Sequence, residues 1–390
     1  YNYNNIYYKI NINKKKKKKK KMRAWLEIDL EKIKWNVNCL RNMMPSGCEM
    51  MAVIKANAYG HGAVPVGKML NGMGIYSFAV ATVDEGIELR ENGIIGDILI
   101  LGYTDLKRME EVVRYDLIQT IVDERYGEEM NKCGFSIQAE LKIDSGMHRL
   151  GVLAENIEET EKVFNLQNLR IKGMFTHLYE SDSLEKEAVE KTEKQIEKFD
   201  RLVDNLKQRG IVIPKLHIQS SYGLLNYPQL QYDYVRIGIA LFGVLSSKQD
   251  KTKVKLPLQP ALSLKALVTS VREIKSGETA GYSGAYHAEA DRKIAAVSIG
   301  YADGIPRNLS GTNNKVIVHG QKTSIIGKIC MDQLLIDVTM IKDVRAGDTV
   351  TLIGREGEEE VSVLDMADKA GTIANEIFSR LGKRLEMKVV

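Results

Sequence analysis

The sequence predicts an α/β fold in which a (β/α)8 TIM-like barrel is followed by a mostly antiparallel β-domain. Two observations predict the barrel. Short apolar runs recur between residues 50 and 237, and stretches of helical periodicity separate most of them. A third observation predicts the second domain, because β-rich runs punctuated by glycine replace this alternation after residue 248. An open doubly wound sheet is the alternative for the first part, but no G-x-G-x-x-G motif opens its first unit.

The predicted barrel strands are apolar runs of five to seven residues. Helix-period stretches such as 83–92 and the long, charged 184–209 connect them. Because strands and helices alternate regularly, a parallel barrel with its helices outside is favoured. The eight predicted strands are 50–54, 75–80, 97–101, 117–121, 137–143, 170–176, 215–219 and 233–237.

A polar segment with two prolines, 248–260, is expected to link the two parts. We expect a short helix near 363–380 in the second part. The chain is therefore divided into a leader at 1–21, a barrel at 22–247 whose first residues are candidates for the other domain, and a β-domain at 248–390. Strands of the β-domain are expected at 261–274, 293–299, 315–318, 322–329, 333–338 and 348–353.

The composition excludes several classes of protein. Hydrophobic residues make up 44% of the 390 residues and charged residues 27%, which is typical of a globular protein rather than a disordered or fibrous one. No run of 18 apolar residues occurs, so we expect no membrane span. The four cysteines are far apart and form no C-x-x-C pair. This argues against a disulfide scaffold or a metal site and favours a reducing, cytoplasmic location.

The basic character of the chain belongs to its first residues. Residues 1–22 hold nine of the 56 Lys and Arg residues and no acid, which leaves 47 against 51 Asp and Glu elsewhere. We therefore expect no nucleic-acid partner for the folded part. The run Lys14–Lys21 precedes no apolar stretch, so it is not a secretory signal. We interpret 1–21 as a disordered or artefactual leader, with Met22 as a candidate start; a lysine-driven contact with nucleic acid or a membrane is the alternative.

The most specific motif is A-V-I-K-A-N-A-Y-G-H-G at 52–62. It places Lys55 directly after a predicted strand, at the carboxyl-terminal face where barrel enzymes carry out their chemistry. Partial burial there lowers the pKa of a lysine and makes it a nucleophile or a base. Without its neighbours, such a lysine would be read as a surface residue. With them, the sequence from 24 to 390 resembles the alanine racemase family, pyridoxal 5′-phosphate enzymes built from a barrel and a β-domain.

The resemblance implies the residues that bind the cofactor. Lys55 would hold it covalently, His177 would lie against its ring, and Arg236, oriented by His217, would face its pyridine nitrogen. Because arginine cannot accept a proton, that nitrogen would stay unprotonated, which favours reprotonation at Cα over transamination. Taken singly, these side chains would be read as structural; their order within one family pattern favours the site. The implied phosphate ligands are Tyr59, Ser221 and the backbone N–H groups of Gly238 and Ile239.

The same resemblance assigns the binding of a small amino-acid substrate. In K-I-D-S-G-M-H-R-L-G, which begins at Lys142, Arg149 would bind the substrate carboxylate through two parallel hydrogen bonds. Lys142 occupies a position that is often carbamylated in relatives, which would neutralise its charge and steady the arginine. A salt-bridge network at the end of a strand is the alternative interpretation of this segment. Asp182 and Arg307 match polar residues that line the access channel of the family.

The resemblance also implies a homodimer with shared active sites. Racemisation needs a proton acceptor on each face of the substrate α-carbon, and Lys55 would serve one face. Tyr282, in G-Y-S-G-A-Y, matches the second base, and Met331 matches a residue whose backbone contacts substrate. In the family both reach the active site of the other subunit. An isolated glycine-flanked tyrosine would otherwise be read as a turn residue, and Cys330, beside Met331, is expected to be buried rather than reactive.

One position departs from the alanine enzymes. Asn375 stands where they have a tyrosine, and the shorter amide opens space and offers a donor and an acceptor. A pocket that hydrogen-bonds a hydroxyl discriminates strongly for it, and serine carries one. The segments 217–228 and 176–183 resemble the racemase half of the serine/alanine racemases found with vancomycin-resistance clusters, which carry an additional membrane domain. We therefore expect this chain to correspond to their catalytic portion and to racemise both serine and alanine.

Three other functions are weighed against this one. If Asn375 is only a helix-start residue, the chain is a strict alanine racemase that supplies D-alanine for peptidoglycan. A decarboxylase of the same barrel class would place an acid rather than Arg236 at the ring nitrogen. A cofactor carrier without catalytic activity would lack the β-domain and Tyr282.

Overall fold

The computed structural model describes residues 22–390, so the predicted leader at 1–21 lies outside the described residues. The chain starts with strand β1 (Ala24–Ile28) and helix α1 (Leu30–Arg41) and then enters a barrel. The strands that follow are β2 (Glu49–Val53), β3 (Ser77–Val80), β4 (Asp97–Ile100), β5 (Ile118–Ile121), β6 (Ile137–Asp144), the side strand β7 (Val152–Leu153), β8 (Leu169–Phe175), β9 (Leu216–His217) and β10 (Tyr234–Ile237).

Helices cover the outside of these strands. Asp123 and Asn156 cap two of them by accepting a backbone N–H of the first turn with their side-chain oxygens, which explains where those helices begin. The helical segments are the turn α2 (Lys55–Tyr59), α3 (Ala63–Gly72), α4 (Val83–Glu91), α5 (Met109–Arg114), α6 (Glu124–Lys132), α7 (Ile157–Phe164), α8 (Lys186–Gln208) and α9 (Ser221–Asn226).

Eight parallel strands form the barrel wall in the order β10-β2-β3-β4-β5-β6-β8-β9. Two backbone hydrogen bonds close it: the N–H of Asp233 donates to the carbonyl of Leu216 at 2.9 Å, and that of Arg236 to Gln219 at 3.0 Å. The predicted (β/α)8 barrel is therefore confirmed. A small apolar cluster fills its interior, made of Met51, Val53, Ala79, Leu99, Ile118, Phe175 and Tyr234.

A closed ring of antiparallel strands forms the core of the second domain. The strands of the domain, of which six form the ring, are β11 (Leu262–Ile274), β12 (Thr279–Ala280), β13 (Tyr286–His287), β14 (Arg292–Val297), β15 (Lys315–Val318), β16 (Gln321–Ile326), β17 (Leu334–Asp337), β18 (Thr349–Glu356), β19 (Glu359–Val361) and β20 (Glu386–Val389). The ring runs β11-β14-β17-β16-β15-β18 and returns to β11. Strand β1 pairs with both β11 and β20, so the first described strand belongs to this sheet. The predicted antiparallel β-domain is thus confirmed.

The helix predicted near 363–380 is in fact two helices, α10 (Val363–Ala370) and α11 (Ala374–Arg380). Gly371 ends the first helix with φ = +66°, a left-handed conformation that glycine adopts without steric cost. The backbone is extended at Ile373 before the second helix begins. The break places Asn375 at the second residue of α11, where it lines a cavity at the carboxyl ends of the barrel strands.

The two domains are packed closely against each other. Asn36 of α1 donates to the carbonyls of Leu241 and Gln259 at 3.1 and 2.9 Å, which fixes the linker to the barrel. The ring of His61 stacks on Phe242 at 4.2 Å and meets the edge of Phe378 in α11 at 4.9 Å. These contacts hold α11 over the mouth of the barrel. Among residues 22–390, no helix has both the length and the apolar character needed to cross a bilayer.

Candidate active site

A cavity of about 450 Å³ opens at the carboxyl ends of the barrel strands, where barrel enzymes carry their chemistry. A larger cavity of about 770 Å³ lies between the domains, but none of the predicted site residues lines it. Chemistry rather than volume therefore identifies the site. Ten of the predicted residues line the smaller cavity: Lys55, Tyr59, Lys142, Arg149, His177, Ser221, Arg236, Gly238, Ile239 and Asn375.

A left-handed turn joins Lys55 to Tyr59. The residues from Ala56 to Tyr59 all have φ between +51° and +55°, a conformation that costs L-residues about 1–2 kcal/mol each. Glu85 offsets part of this cost, because one carboxylate oxygen accepts the N–H of Ala56 at 2.6 Å and the other accepts that of Ala81 at 2.7 Å. The turn directs both Lys55 and Tyr59 into the same cavity.

The surroundings of Lys55 favour its neutral amine. Burial is the main cause of its lowered pKa, and the positive charge of Arg149 adds to the effect. Glu85 opposes the shift without reversing it. A lysine with a lowered pKa is a better nucleophile and a better proton acceptor at neutral pH than an exposed one.

One corner of the cavity is a cluster of neutral hydrogen-bond donors. The Ser221 hydroxyl oxygen accepts the N–H of Gly238 at 3.1 Å, which leaves its own proton free to donate. Burial raises the pKa of Tyr59 to about 12, so its phenol also stays protonated. A Cβ at Gly238 would lie 2.8 Å from the Tyr59 oxygen, so only glycine permits this approach. Such a cluster suits an anion.

Arg236 is almost completely buried and is held by a chain that ends in a carboxylate. It donates to Nδ1 of His217 at 2.7 Å, and Nε2 of His217 lies 2.7 Å from Glu140. Since Nδ1 must accept, Nε2 carries the proton and donates to Glu140. Burial lowers the pKa of Arg236 to about 10 while Glu140 opposes this, so the guanidinium remains a cation at neutral pH.

The same guanidinium fixes His177. Arg236 donates to Nδ1 of His177 at 3.2 Å, which places the imidazole proton on Nε2. Burial, followed by the charge of Arg236, lowers the pKa of His177 well below its usual value, so this ring is neutral. Phe175 lies beneath two basic side chains of this wall, with the Arg236 guanidinium and the Lys142 amine each 5.2 Å from its ring centroid.

Lys142 is buried beside the exposed loop that carries Arg149. Its amine donates to the Ile143 carbonyl at 3.1 Å. Burial, followed by the charge of Arg236, lowers its pKa to about 7, so about half of the amine is neutral at that pH. Asp144 holds the loop by accepting the N–H groups of Gly146 and His148 at 2.9 and 3.0 Å.

Tyr282 and Met331 do not line this cavity. They lie on the surface of the β-domain with 67% and 52% of their area exposed. Tyr282 begins a single 3-10 turn after Gly281. Met331 lies in a loop, and its backbone carbonyl accepts the N–H of Ala302 at 3.0 Å. Within the chain these two residues are therefore separate from the other ten.

Asn375 contributes an unpaired acceptor to the cavity. Its side-chain oxygen Oδ1 is buried and has no hydrogen-bond partner among the described residues. The cap of α11 is Ile373, with no side-chain hydrogen bond to the helix. Asn375 is the second residue of α11, so it lies at the start of this helix without capping it through its side chain. A buried acceptor without a partner is costly, which favours a ligand that supplies a donor.

Sequence reasoning missed three residues that shape this site. Glu85 lies in a helix and shows no pattern that connects it to the turn after Lys55. Glu140 carries a signal in the sequence, because a lone acid in the apolar strand A-E-L-K-I needs a buried partner. Phe175 lies in the quoted segment M-F-T-H, but its contact with the cations depends on the barrel geometry.

Two family models match this chain. One, described as the N-terminal domain of alanine racemase, matches residues 28–246, and another, described as its C-terminal domain, matches residues 261–389. The chain belongs to the alanine racemase family. The resemblance inferred from the motif at 52–62 is thereby confirmed.

Individual relatives agree with this assignment. An amino-acid racemase of Enterococcus faecalis is 47% identical over 94% of this chain and 51% of its own length. A serine/alanine racemase of Enterococcus gallinarum is 40% identical over 94% of this chain and 51% of its own length. The chain thus spans about half the length of these two relatives. The structure of an alanine racemase from Clostridium difficile superposes with a TM-score of 0.88 at 34% identity, covering 95% of this chain and 96% of that one.

The hydrogen bonds from Arg236 to His217 and from His217 to Glu140 should depend on the carboxylate at their end. Glu140→Gln should lower kcat/KM for alanine about 10- to 100-fold, because a neutral amide oxygen accepts the Nε2 proton of His217 more weakly than a carboxylate does, which loosens Arg236. We expect the free energy of unfolding to fall by about 1–3 kcal/mol as well. Steady-state kinetics and thermal unfolding measure the two effects. Glu91→Gln, which alters an exposed carboxylate bonded to Tyr115, is the control; equal behaviour of both variants would refute the role of Glu140.

Proposed function

We propose that this chain interconverts the L and D forms of serine and alanine, with pyridoxal 5′-phosphate as cofactor. The observation that carries the serine part is the unpaired, buried oxygen of Asn375 in the same cavity as Lys55 and Arg149. A serine hydroxyl supplies the donor that this oxygen lacks, whereas the methyl group of alanine supplies none. The relatives named as amino-acid and serine/alanine racemases support the reaction class.

The residues of the cavity fit the proposed cofactor. The neutral donors Tyr59 and Ser221, with the backbone at Gly238 and Ile239, would hold the phosphate. Arg236 would donate to the pyridine nitrogen. His177 would lie against the ring, and its lowered pKa avoids a further positive charge beside Arg236. The Lys55 amine would hold the cofactor covalently.

Pyridoxal 5′-phosphate, when bound, withdraws electrons from the substrate and so acidifies its α-proton. Lys55 is proposed as the proton acceptor on one face of the α-carbon, since its lowered pKa favours the neutral amine. Arg149 would bind the carboxylate through a planar pair of hydrogen bonds and so orient the α-proton toward Lys55. Because Arg236 cannot accept a proton, it would disfavour protonation of the ring nitrogen.

The second base is proposed to come from another protomer. Tyr282 is exposed and lies outside the cavity of its own chain, so a homodimer would bring Tyr282 of the partner subunit to the opposite face of the substrate. Met331 would accompany it. Positive charge beside a phenol favours its ionised form, and Arg149 and Arg236 line the cavity that Tyr282 would reach.

Lys142 is proposed to be carbamylated, and its pKa of about 7 sets the pH dependence. Below this pKa the amine is protonated and cannot attack CO2. Above it the neutral amine reacts, so the carbamylated fraction should rise as pH increases through 7 in the presence of bicarbonate. Native mass spectrometry should detect the added mass of one CO2, and Lys142→Arg should abolish it. An unmodified mass at saturating bicarbonate and pH 8 would exclude the modification.

A coupled racemisation assay of purified protein tests the whole proposal. L-serine and L-alanine are supplied separately with pyridoxal 5′-phosphate, and the D-products are measured with a D-amino-acid oxidase. We expect kcat/KM for the two substrates to agree within about tenfold, since one hydrogen bond to Asn375 is worth about 0.5–1.5 kcal/mol. A preference of a thousandfold for alanine would contradict the serine part and leave the racemase proposal intact.

A strict alanine racemase that supplies D-alanine for peptidoglycan is the second candidate. It is favoured by the match with the Clostridium difficile alanine racemase, which covers nearly the full length of both chains. The orphan oxygen of Asn375 is the observation that speaks against it. The same assay separates the two candidates.

A further inference from the structure

A second tyrosine lines the cavity that contains Asn375. Tyr222 is buried in the first turn of α9, and the proposed chemistry does not use its phenol. The phenol oxygen accepts the backbone N–H of Ser246 at 2.6 Å, and the phenol O–H donates to the carboxylate of Asp250. One side chain thereby joins α9 to the segment 246–250.

The segment 246–250 extends this connection to α11. The carbonyl of Ser246 accepts the N–H of Ala374 at 2.8 Å, and Ala374 is the residue before Asn375. The start of α11 is thus bonded to the residue that Tyr222 holds. Two side chains of the same segment also reach α10: Lys248 donates to Asp365 at 2.7 Å and Gln249 to Asp368 at 2.6 Å.

Asp250 strengthens the contact between Tyr222 and the segment 246–250. Its carboxylate accepts the N–H of Ser247 at 2.8 Å in addition to the phenol, so it is fixed to the segment that it helps to hold. A hydrogen bond to a carboxylate is stronger than a neutral one. Burial, and then the bond to Asp250, raise the pKa of Tyr222, so the phenol keeps the proton that it donates.

Asn375 depends on this arrangement because α11 begins without a side-chain cap. The hydrogen bond from the Ala374 N–H to the Ser246 carbonyl connects the first residue of α11 to the barrel side of the cavity. A shift of Ser246 would move the Asn375 oxygen relative to a bound substrate. Hydrogen bonds weaken steeply with distance and angle, so a hydroxyl contact is sensitive to such a shift.

We infer that Tyr222 is a positioning residue for hydroxyl specificity, which acts through Ser246 and the start of α11 on the Asn375 oxygen. The inference rests on the proposed function, because it concerns the substrate hydroxyl that Asn375 would bind. It separates two roles within one cavity wall. Asn375 supplies the acceptor, and Tyr222 sets its place.

The test is Tyr222→Phe, which removes the phenol oxygen and keeps the ring. We expect kcat/KM for L-serine to fall about fivefold to tenfold, because the neutral hydrogen bond between the serine hydroxyl and the Asn375 oxygen would be lost. We expect kcat/KM for L-alanine to fall less than twofold. Tyr232→Phe is the matched control, since Tyr232 makes a similar bond to Asp200 at 2.7 Å but does not line the cavity. We expect the control to keep the ratio of serine to alanine activity unchanged.

A double-mutant cycle with Asn375→Leu shows whether Tyr222 acts through Asn375. In the Asn375→Leu background, Tyr222→Phe should no longer change the serine-to-alanine ratio. Hydrogen exchange of residues 374–380 should increase in Tyr222→Phe and not in Tyr232→Phe. If Tyr222→Phe does not fold, Asp250→Asn weakens the same contact with little change in shape and is measured instead.

The outcomes distinguish this inference from the proposed function. If the unmodified protein racemises neither substrate, the proposed function fails, and the inference fails with it. If it racemises serine while Tyr222→Phe leaves the ratio unchanged or lowers both activities equally, only the inference is overturned. A ratio change that persists in the Asn375→Leu background overturns it too, because Tyr222 would then act directly on the substrate.

Discussion

Mixing two inactive variants, Lys55→Ala and Tyr282→Phe, should restore about one quarter of the unmodified activity, given random pairing in a two-fold symmetric dimer. Each variant lacks one of the two proposed bases, so each homodimer should lose about 10²- to 10⁴-fold in kcat. In a mixed dimer, one site combines the intact Lys55 of one protomer with the intact Tyr282 of the other. Half of the dimers are mixed, and each has one complete site of two.

The measurement is the alanine racemisation rate after the two variants are unfolded together and refolded with cofactor, compared with each variant refolded alone. Its control is a mixture of Lys55→Ala with Tyr301→Phe, which changes another exposed tyrosine of the β-domain. That mixture should show about half of the unmodified activity, because only the Tyr301→Phe protomers carry Lys55. If Lys55→Ala and Tyr282→Phe fail to complement although mass spectrometry detects mixed dimers, the shared site is wrong.

The architecture could be predicted because the barrel repeats one pattern eight times. Each predicted strand overlaps an observed one, and the errors lie at the ends of strands, as with 215–219, of which only Leu216–His217 forms a ladder. The single helix expected near 363–380 failed for a local reason. A left-handed glycine at 371 interrupts a stretch whose periodicity continues on both sides.

The residues of the site could be found because the sequence resembles one family, and several of them follow strand ends, where side chains from distant parts of the sequence converge. The residues that hold them could not be found in this way. Glu85 acts by accepting a backbone N–H of a left-handed turn, and Tyr222 acts through the backbone of Ser246. Neither contact leaves a periodic or spaced pattern in the sequence. Each becomes visible only when the path of the main chain is known.

Substitution of Asn375 should change the substrate rather than the rate of the chemistry. Asn375→Tyr should lower kcat/KM for serine about a hundredfold relative to alanine, because it removes the acceptor of the hydroxyl and fills the space beside it. The position lines the cavity from α11, whereas Lys55 and Arg149 lie on barrel loops. Turnover of alanine should therefore be retained. The kcat/KM values of both substrates, measured at saturating cofactor, give the ratio.

Asn375→Leu separates the two causes of this change, since leucine has nearly the shape of asparagine but no acceptor. If the hydrogen bond dominates, Asn375→Leu should lose serine activity about tenfold relative to alanine, the value of one buried hydrogen bond. If space dominates, it should keep the unmodified ratio while Asn375→Tyr does not. The buried oxygen without a protein partner favours the first outcome, because a serine hydroxyl would donate to it whereas the methyl group of alanine would not. An unchanged ratio in both variants would assign serine recognition to another part of the cavity.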